Sequence, residues 1–150
     1  MTDRKKRAYT TLLRMARVKE VRADVALAWA SAAEAEQRHR VDRVLDARNA
    51  VAMASQACIG DGVRLDLGRY EMLALLDMAL ADKHEAESQR LDEASRMRKE
   101  RASENVQAKR YRERVGEKLV DVGSALMRTR FAKTQEEMVE LWIDHKEGVP

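Results

Sequence analysis

The sequence predicts an all-α protein: a long antiparallel two-helix coiled-coil hairpin with helices of unequal length. Three observations carry that expectation. Charged residues make up 37% of the 150 and aromatics only 4%, with a mean hydropathy of -0.60. That balance of alanines, charges and a thin apolar stripe suits a coiled coil better than a rounded core. The single proline is Pro150, so no proline forces a helix to stop earlier. The stretch Gly60 to Gly68 holds three of the six glycines and is the strong interruption of the chain. Long segments rich in Ala, Leu, Glu, Lys, Arg and Met, all good helix formers, flank it. The whole of 1–150 reads as one elongated coiled-coil domain.

Helix one is expected over about 3–59. Thr2 or Asp3 offers a cap, and Gly60 stands where a helix commonly ends in a left-handed glycine. Such a helix is about 85 Å long. Leu12, Met15, Ala16, Ala23, Ala26, Ala30 and Ala33 make its stripe, continued by Val41, Val44, Val51, Ala54 and Cys58. The steps are mostly three and four, which gathers them on one seam. Alanine dominates from Ala23 to Ala35, so a partner helix can approach closely there. Trp29 has two open readings, seam packing or a partner anchor.

The loop is expected over 60–68. It lacks the glycine and Lys-Ser/Thr pattern of a phosphate loop and the acidic spacing of a calcium loop, so it reads as a turn.

Helix two is expected over about 66–147, starting at Asp66, a good N-cap residue. Leu73, Leu76 and Leu80 open it on one face. The large apolar residues then thin to Leu91, Met97, Val106 and Tyr111, and return at Val115, Leu119, Val122 and Leu126. Gly116 and Gly123 each cost about 1 kcal/mol against alanine, so a kink is expected there. Val120, Met127, Phe131, Met138 and Trp142 form a second stripe on a different face.

Folding at residue 64 brings apolar clusters together. Leu12 then faces the Val115 to Leu119 region and Val51 faces Leu76 to Leu80. The weak middles also coincide, near Gln37 to Arg40 and Glu87 to Leu91. Residues beyond about 126 are left without a partner on helix one, an extension about 30 Å long.

Net charge is +3 with a pI near 9.1, too mild to name a partner. Its distribution says more. Arg4, Lys5, Lys6, Arg7, Arg14, Arg17, Lys19 and Arg22 crowd the N-terminal section, and Lys109, Arg110, Arg112, Arg114 and Lys118 face them. The loop end is acidic, and so is the C-terminal tail with Glu136, Glu137, Glu140 and Asp144. Such a field orients docking.

Catalytic chemistry has little to stand on. His39, His84 and His145 are far apart, and His84-Glu85-Ala86-Glu87-Ser88 lacks the second histidine of a zinc-protease helix. Cys58 is the only cysteine, has no histidine base nearby and sits on the seam, so burial is its expected role. No catalytic residue, cofactor site or metal site is expected, and the chain is not expected to be an enzyme. There is no apolar signal-peptide region and no run of 18 apolar residues, which leads to the expectation of a cytoplasmic protein.

The segment Leu12-Leu13-Arg14-Met15-Ala16-Arg17-Val18-Lys19-Glu20-Val21-Arg22-Ala23-Asp24 resembles the opening of the YscO/HrpO family of type III secretion proteins. Members similarly begin with a Leu-x-x-Val-Lys-x-x-Arg-like stretch on their first helix. Length, two-helix organisation and aromatic-poor composition also fit. The flagellar counterpart is FliJ, whose fold resembles the coiled-coil stalk of the F-type ATPase γ subunit. The resemblance implies a non-enzymatic stalk peripheral to the secretion apparatus, engaging a hexameric secretion ATPase and the export gate protein, with secretion chaperones as further partners. The paired termini, Arg4 to Arg22 and Val115 to Phe131, are then the expected ATPase contact, and the loop end the gate or chaperone contact. Partner-binding residues singled out are Arg4, Arg7, Arg14, Arg17, Lys19, Arg22, Arg110, Arg114, Phe131 and Trp142. Two other classes stay open: a nucleic-acid-associated basic helical protein, and a generic self-associating structural coiled coil.

Overall fold

In the computed structural model, which describes residues 2–60 and 66–147, two helices pack against each other. No strand occurs among the described residues. Helix α1 is Thr2–Gly60, 59 residues, and helix α2 is Leu67–Glu147, 81 residues. The unequal hairpin expected from the sequence is what the chain forms. Both helices are built from residues that lose little rotamer freedom in a helix, and no internal proline removes a backbone donor.

The ends follow local chemistry. Asp3 lies in the first turn of α1, where its carboxylate meets the positive end of the helix dipole. Asp66 caps α2: its Oδ1 accepts from the Arg69 amide at 3.2 Å, and its carbonyl accepts from the Tyr70 amide at 3.0 Å. His145 and Lys146 occupy the last turn, the favourable place for positive charge. Gly60 falls within α1 rather than just past it, and most of the expected loop, 61–65, lies outside the described residues. Both helices run unbroken, and α2 stays helical through Gly116 and Gly123.

Burial defines the seam. On α1 the shielded positions recur in strict steps of three and four: Tyr9, Leu13, Ala16, Glu20, Ala23, Leu27, Ala30, Glu34, Gln37, Val41, Val44, Arg48, Val51, Ser55 and Cys58. On α2 the same rhythm runs through Leu73, Asp77, Leu80, His84, Glu87, Leu91, Ala94, Arg98, Arg101, Asn105, Ala108, Arg112, Val115, Leu119, Val122 and Leu126. Two positions in every seven is the spacing of a coiled-coil seam. Six expected members fall off it: Leu12 is 38% exposed, Met15 56%, Leu76 46%, Ala33 is also exposed, and Ala26 and Ala54 are half-buried beside it. Their places are taken by neighbours, Leu13 beside Leu12 and Glu34 beside Ala33. An apolar-only pattern cannot see a carboxylate that holds a seam position. Trp29 is 76% exposed, which removes its seam reading.

Contacts divide the chain into two units, Met1–Ala23 with Asn105–Pro150 and Asp24–Glu104. In the second unit the helices run antiparallel with a polar middle. Gln37 Nε2 donates to the Glu87 carboxylate and, at 3.1 Å, to the Glu87 backbone carbonyl. Arg90 adds an ion pair to Glu87 at 3.1 Å. Arg98 of α2 pairs with Glu34 of α1, and Arg48 with Asp77 at 3.3 Å. Val41, Val44 and Val51 are buried on the loop side of this cluster. Satisfied polar groups in a seam fix register, because a slipped pairing would bury them without partners.

In the first unit Ala16, Val115 and Leu126 are buried, and Leu13 reaches toward Gly116, where an alanine Cβ would stand 4.0 Å from Leu13 Cδ1. Arg112 Nε approaches Glu20 Oε2 to 2.6 Å, and Arg130 pairs with Asp3 at 3.5 Å. The buried Arg112 Nε has no aligned hydrogen-bond acceptor, so that pair is held by charge more than by direction. Pairing therefore reaches Arg130, four residues past Leu126, where the sequence placed its limit.

Candidate functional site

The first unit carries much of the chain's exposed basic and apolar surface, while Trp29, Met53, Met72, Leu75 and Met78 stand exposed in the second. All ten residues singled out from the sequence belong to the first unit: Arg4, Arg7, Arg14, Arg17, Lys19 and Arg22 on α1, and Arg110, Arg114, Phe131 and Trp142 on α2. Every one is exposed. They are exposed because they fall on helix positions off the seam, where burial would strand a charge. The structure brings them onto two neighbouring antiparallel segments but does not converge them on one pocket.

Two local features refine that surface. Thr10 and Thr11 turn their hydroxyls back to the carbonyls of Lys6 and Arg7, at 2.9 and 3.1 Å. The surrounding Lys6, Arg7, Arg14 and Arg130, with Asp3 paired to Arg130, line a shallow, mostly basic hollow at this end of α1. Lys19 lies 5.7 Å from the Tyr111 ring centroid, a cation–π contact across the two helices.

The α2 extension is the second feature. Every described side chain from Met127 to Lys146 is exposed, including Met127 at 70%, Phe131 at 66%, Leu141 at 69% and Trp142 at 61%. Lys146 Nζ stands 4.3 Å from the Trp142 ring centroid on the same helix. Large apolar side chains standing free in this number mark an interaction surface rather than scattered surface hydrophobics. Their stripe was legible as a separate face. The sequence placed Phe131, Met138 and Trp142 on that stripe but passed over Arg130 and Leu141, whose contribution shows only once the surrounding helix is seen to be uncovered.

Among the described residues, no group of three or more His, Cys, Asp or Glu is placed to hold a metal ion. His84 takes a seam position and Cys58 is a half-buried free thiol on the seam. Among the described residues, Glu87 is the one carboxyl held clearly below the ordinary glutamate value, first by the Gln37 hydrogen bond, against the opposing effect of burial, and with help from Arg90, Arg40 and Lys83. Its environment is that of a seam residue, not of a cleft. No described helix is long and apolar enough to cross a membrane.

The site is thus a pair of exposed helical surfaces, one basic and one apolar with acidic flanks, suited to binding macromolecules. No family model, curated protein or solved structure matches the chain.

Proposed function

We propose that this chain is a non-enzymatic coiled-coil stalk or adaptor of a bacterial type III secretion system, engaging the secretion ATPase ring through its first unit. The observation that carries the proposal is the α2 extension, which leaves about 20 residues of helix with apolar side chains uncovered, continuing past the start of the basic α1 segment. A stalk must be stiff along its length and sticky at its end. Two unbroken helices with a register-fixing polar seam supply stiffness, and the exposed first unit supplies the contact. The resemblance of Leu12 to Asp24 to the YscO/HrpO opening adds the identity of the partner.

Binding of the purified chain to a hexameric secretion ATPase, with a change in its hydrolysis rate, is the expected result. Absence of both would remove the proposal. Strongly salt-dependent binding to nucleic acid, lost when Arg4 to Arg7 are neutralised, would replace it with the nucleic-acid class.

A further inference from the structure

The first unit carries two uncovered stripes that share one spacing. On α1, off the seam, lie Ala8, Thr11, Met15, Val18 and Arg22, all exposed. On the α2 extension lie Phe131, Thr134, Met138, Leu141 and His145, also all exposed. Both stripes step by three, four, three and four, the rhythm that lets two helices pack as a seam. Set side by side in parallel, Phe131 meets Ala8, Met138 meets Met15, and Leu141 meets Val18. A large ring opposite a methyl, then two apolar pairs, is a packable sequence of contacts.

The net charges of the two segments are opposite. The extension carries Glu136, Glu137, Glu140 and Asp144 with Lys133 and Lys146, while the α1 segment carries Arg4, Arg7, Arg14, Arg17, Lys19 and Arg22 with Glu20. In a parallel seam the flanking residues pair across helices one heptad apart. That rule sets Glu137 beside Lys19, and Trp142 beside Arg14, a cation–π pairing of the favoured kind. Within one chain the two stripes cannot meet this way, because α1 and α2 run antiparallel along this unit, as the Asp3–Arg130 and Glu20–Arg112 pairs show.

We infer that the occupant of the extension is a second copy of this chain: the α2 extension of one copy lies parallel on the outer face of the α1 N-terminal segment of the other. A two-fold axis makes the contact twice, giving a closed dimer. This goes beyond the stalk proposal and stands without it. It also implies that self-association and ATPase binding compete for one surface.

Sedimentation velocity and light scattering of the full chain over a wide concentration range give the first test, with a monomer–dimer equilibrium expected. The paired substitution Met138→Asp and Leu141→Asp is expected to raise the dimer dissociation constant at least about tenfold. These positions are exposed in the free chain, so folding is left intact, and circular dichroism checks that. Glu137→Lys is expected to weaken the dimer, and adding Lys19→Glu to restore it. A Met15→Cys, Met138→Cys chain in a Cys58→Ser background is expected to form disulfide-linked dimers on mild oxidation. A monomer at every concentration would overturn the inference. So would a dimer indifferent to the Met138 and Leu141 changes, or cross-links that form only within one chain.

Discussion

Glu87 shows how one residue combines burial, hydrogen bonding and charge. It is 8% exposed, yet its carboxyl is held below the ordinary glutamate value, chiefly by the amide of Gln37. A lowered folded value means that Glu87 stabilises the fold fully above its unfolded value. That contribution is lost as pH falls through the folded value, in the acid range below about pH 4.5. Glu87→Gln should therefore flatten the acid limb of a plot of thermal midpoint against pH while lowering the midpoint near neutrality. A variant whose acid limb matched the parent would show that Glu87 does not govern it. Asp66 is simpler. Its side chain satisfies one orphan amide of α2 at Arg69, so Asp66→Ala should cost about 1 kcal/mol in urea denaturation. The Asp66 cap could be read from its residue type. The role of Glu87 could not, because nothing local to it announces that Gln37, fifty residues earlier, supplies its partner.

At the scale of the element, each helix is continuous where its sequence is least helical. Gly123 has nothing within 4 Å of where a Cβ would stand, and at Gly116 the nearest atom is Leu13 Cδ1 at 4.0 Å. Neither glycine serves a close approach or a left-handed turn, so Gly116→Ala and Gly123→Ala should each stabilise α2 by about 1 kcal/mol. Chemical denaturation reads this directly, and a destabilised Gly123→Ala would point to a bend that function requires. The polar seam makes a contrasting prediction. Replacing Gln37 and Glu87 together with leucine exchanges a satisfied polar pair for apolar packing, a change that is often neutral or stabilising. The exchange should come with lost register, seen as cysteine cross-links at neighbouring as well as cognate positions. A variant both more stable and singly registered would assign register to Glu34–Arg98 and Arg48–Asp77 instead. The three-and-four spacing was visible in the sequence, but adjacent leucines such as Leu12 and Leu13 were not distinguishable. Their assignment depends on the phase of the seam, which only the opposing helix sets.

For the molecule as a whole, the decisive quantity is surface left uncovered after the helices pair. Basic residues of α1 and the acidic, apolar extension of α2 belong to the same unit, so partner binding there is expected to be steered by charge and weakened by salt. The proposed ATPase contact predicts that reversing Arg4, Arg7, Arg14 and Arg17 to glutamate reduces affinity for the ATPase by about tenfold, given a few tenths to one kcal/mol for each exposed pair. Calorimetric titration at two salt concentrations measures this, and unchanged affinity would move the contact elsewhere. The sequence by itself determined the two helices, their inequality and the charge of each segment. These follow from composition, glycine placement and periodicity, all of which act over a few residues. Only the tertiary structure decided which neighbours occupy the seam, that carboxylates and arginines share it, and which large apolar side chains stay in water. Those outcomes depend on what stands opposite each residue, and a helix cannot specify its partner's atoms from its own spacing.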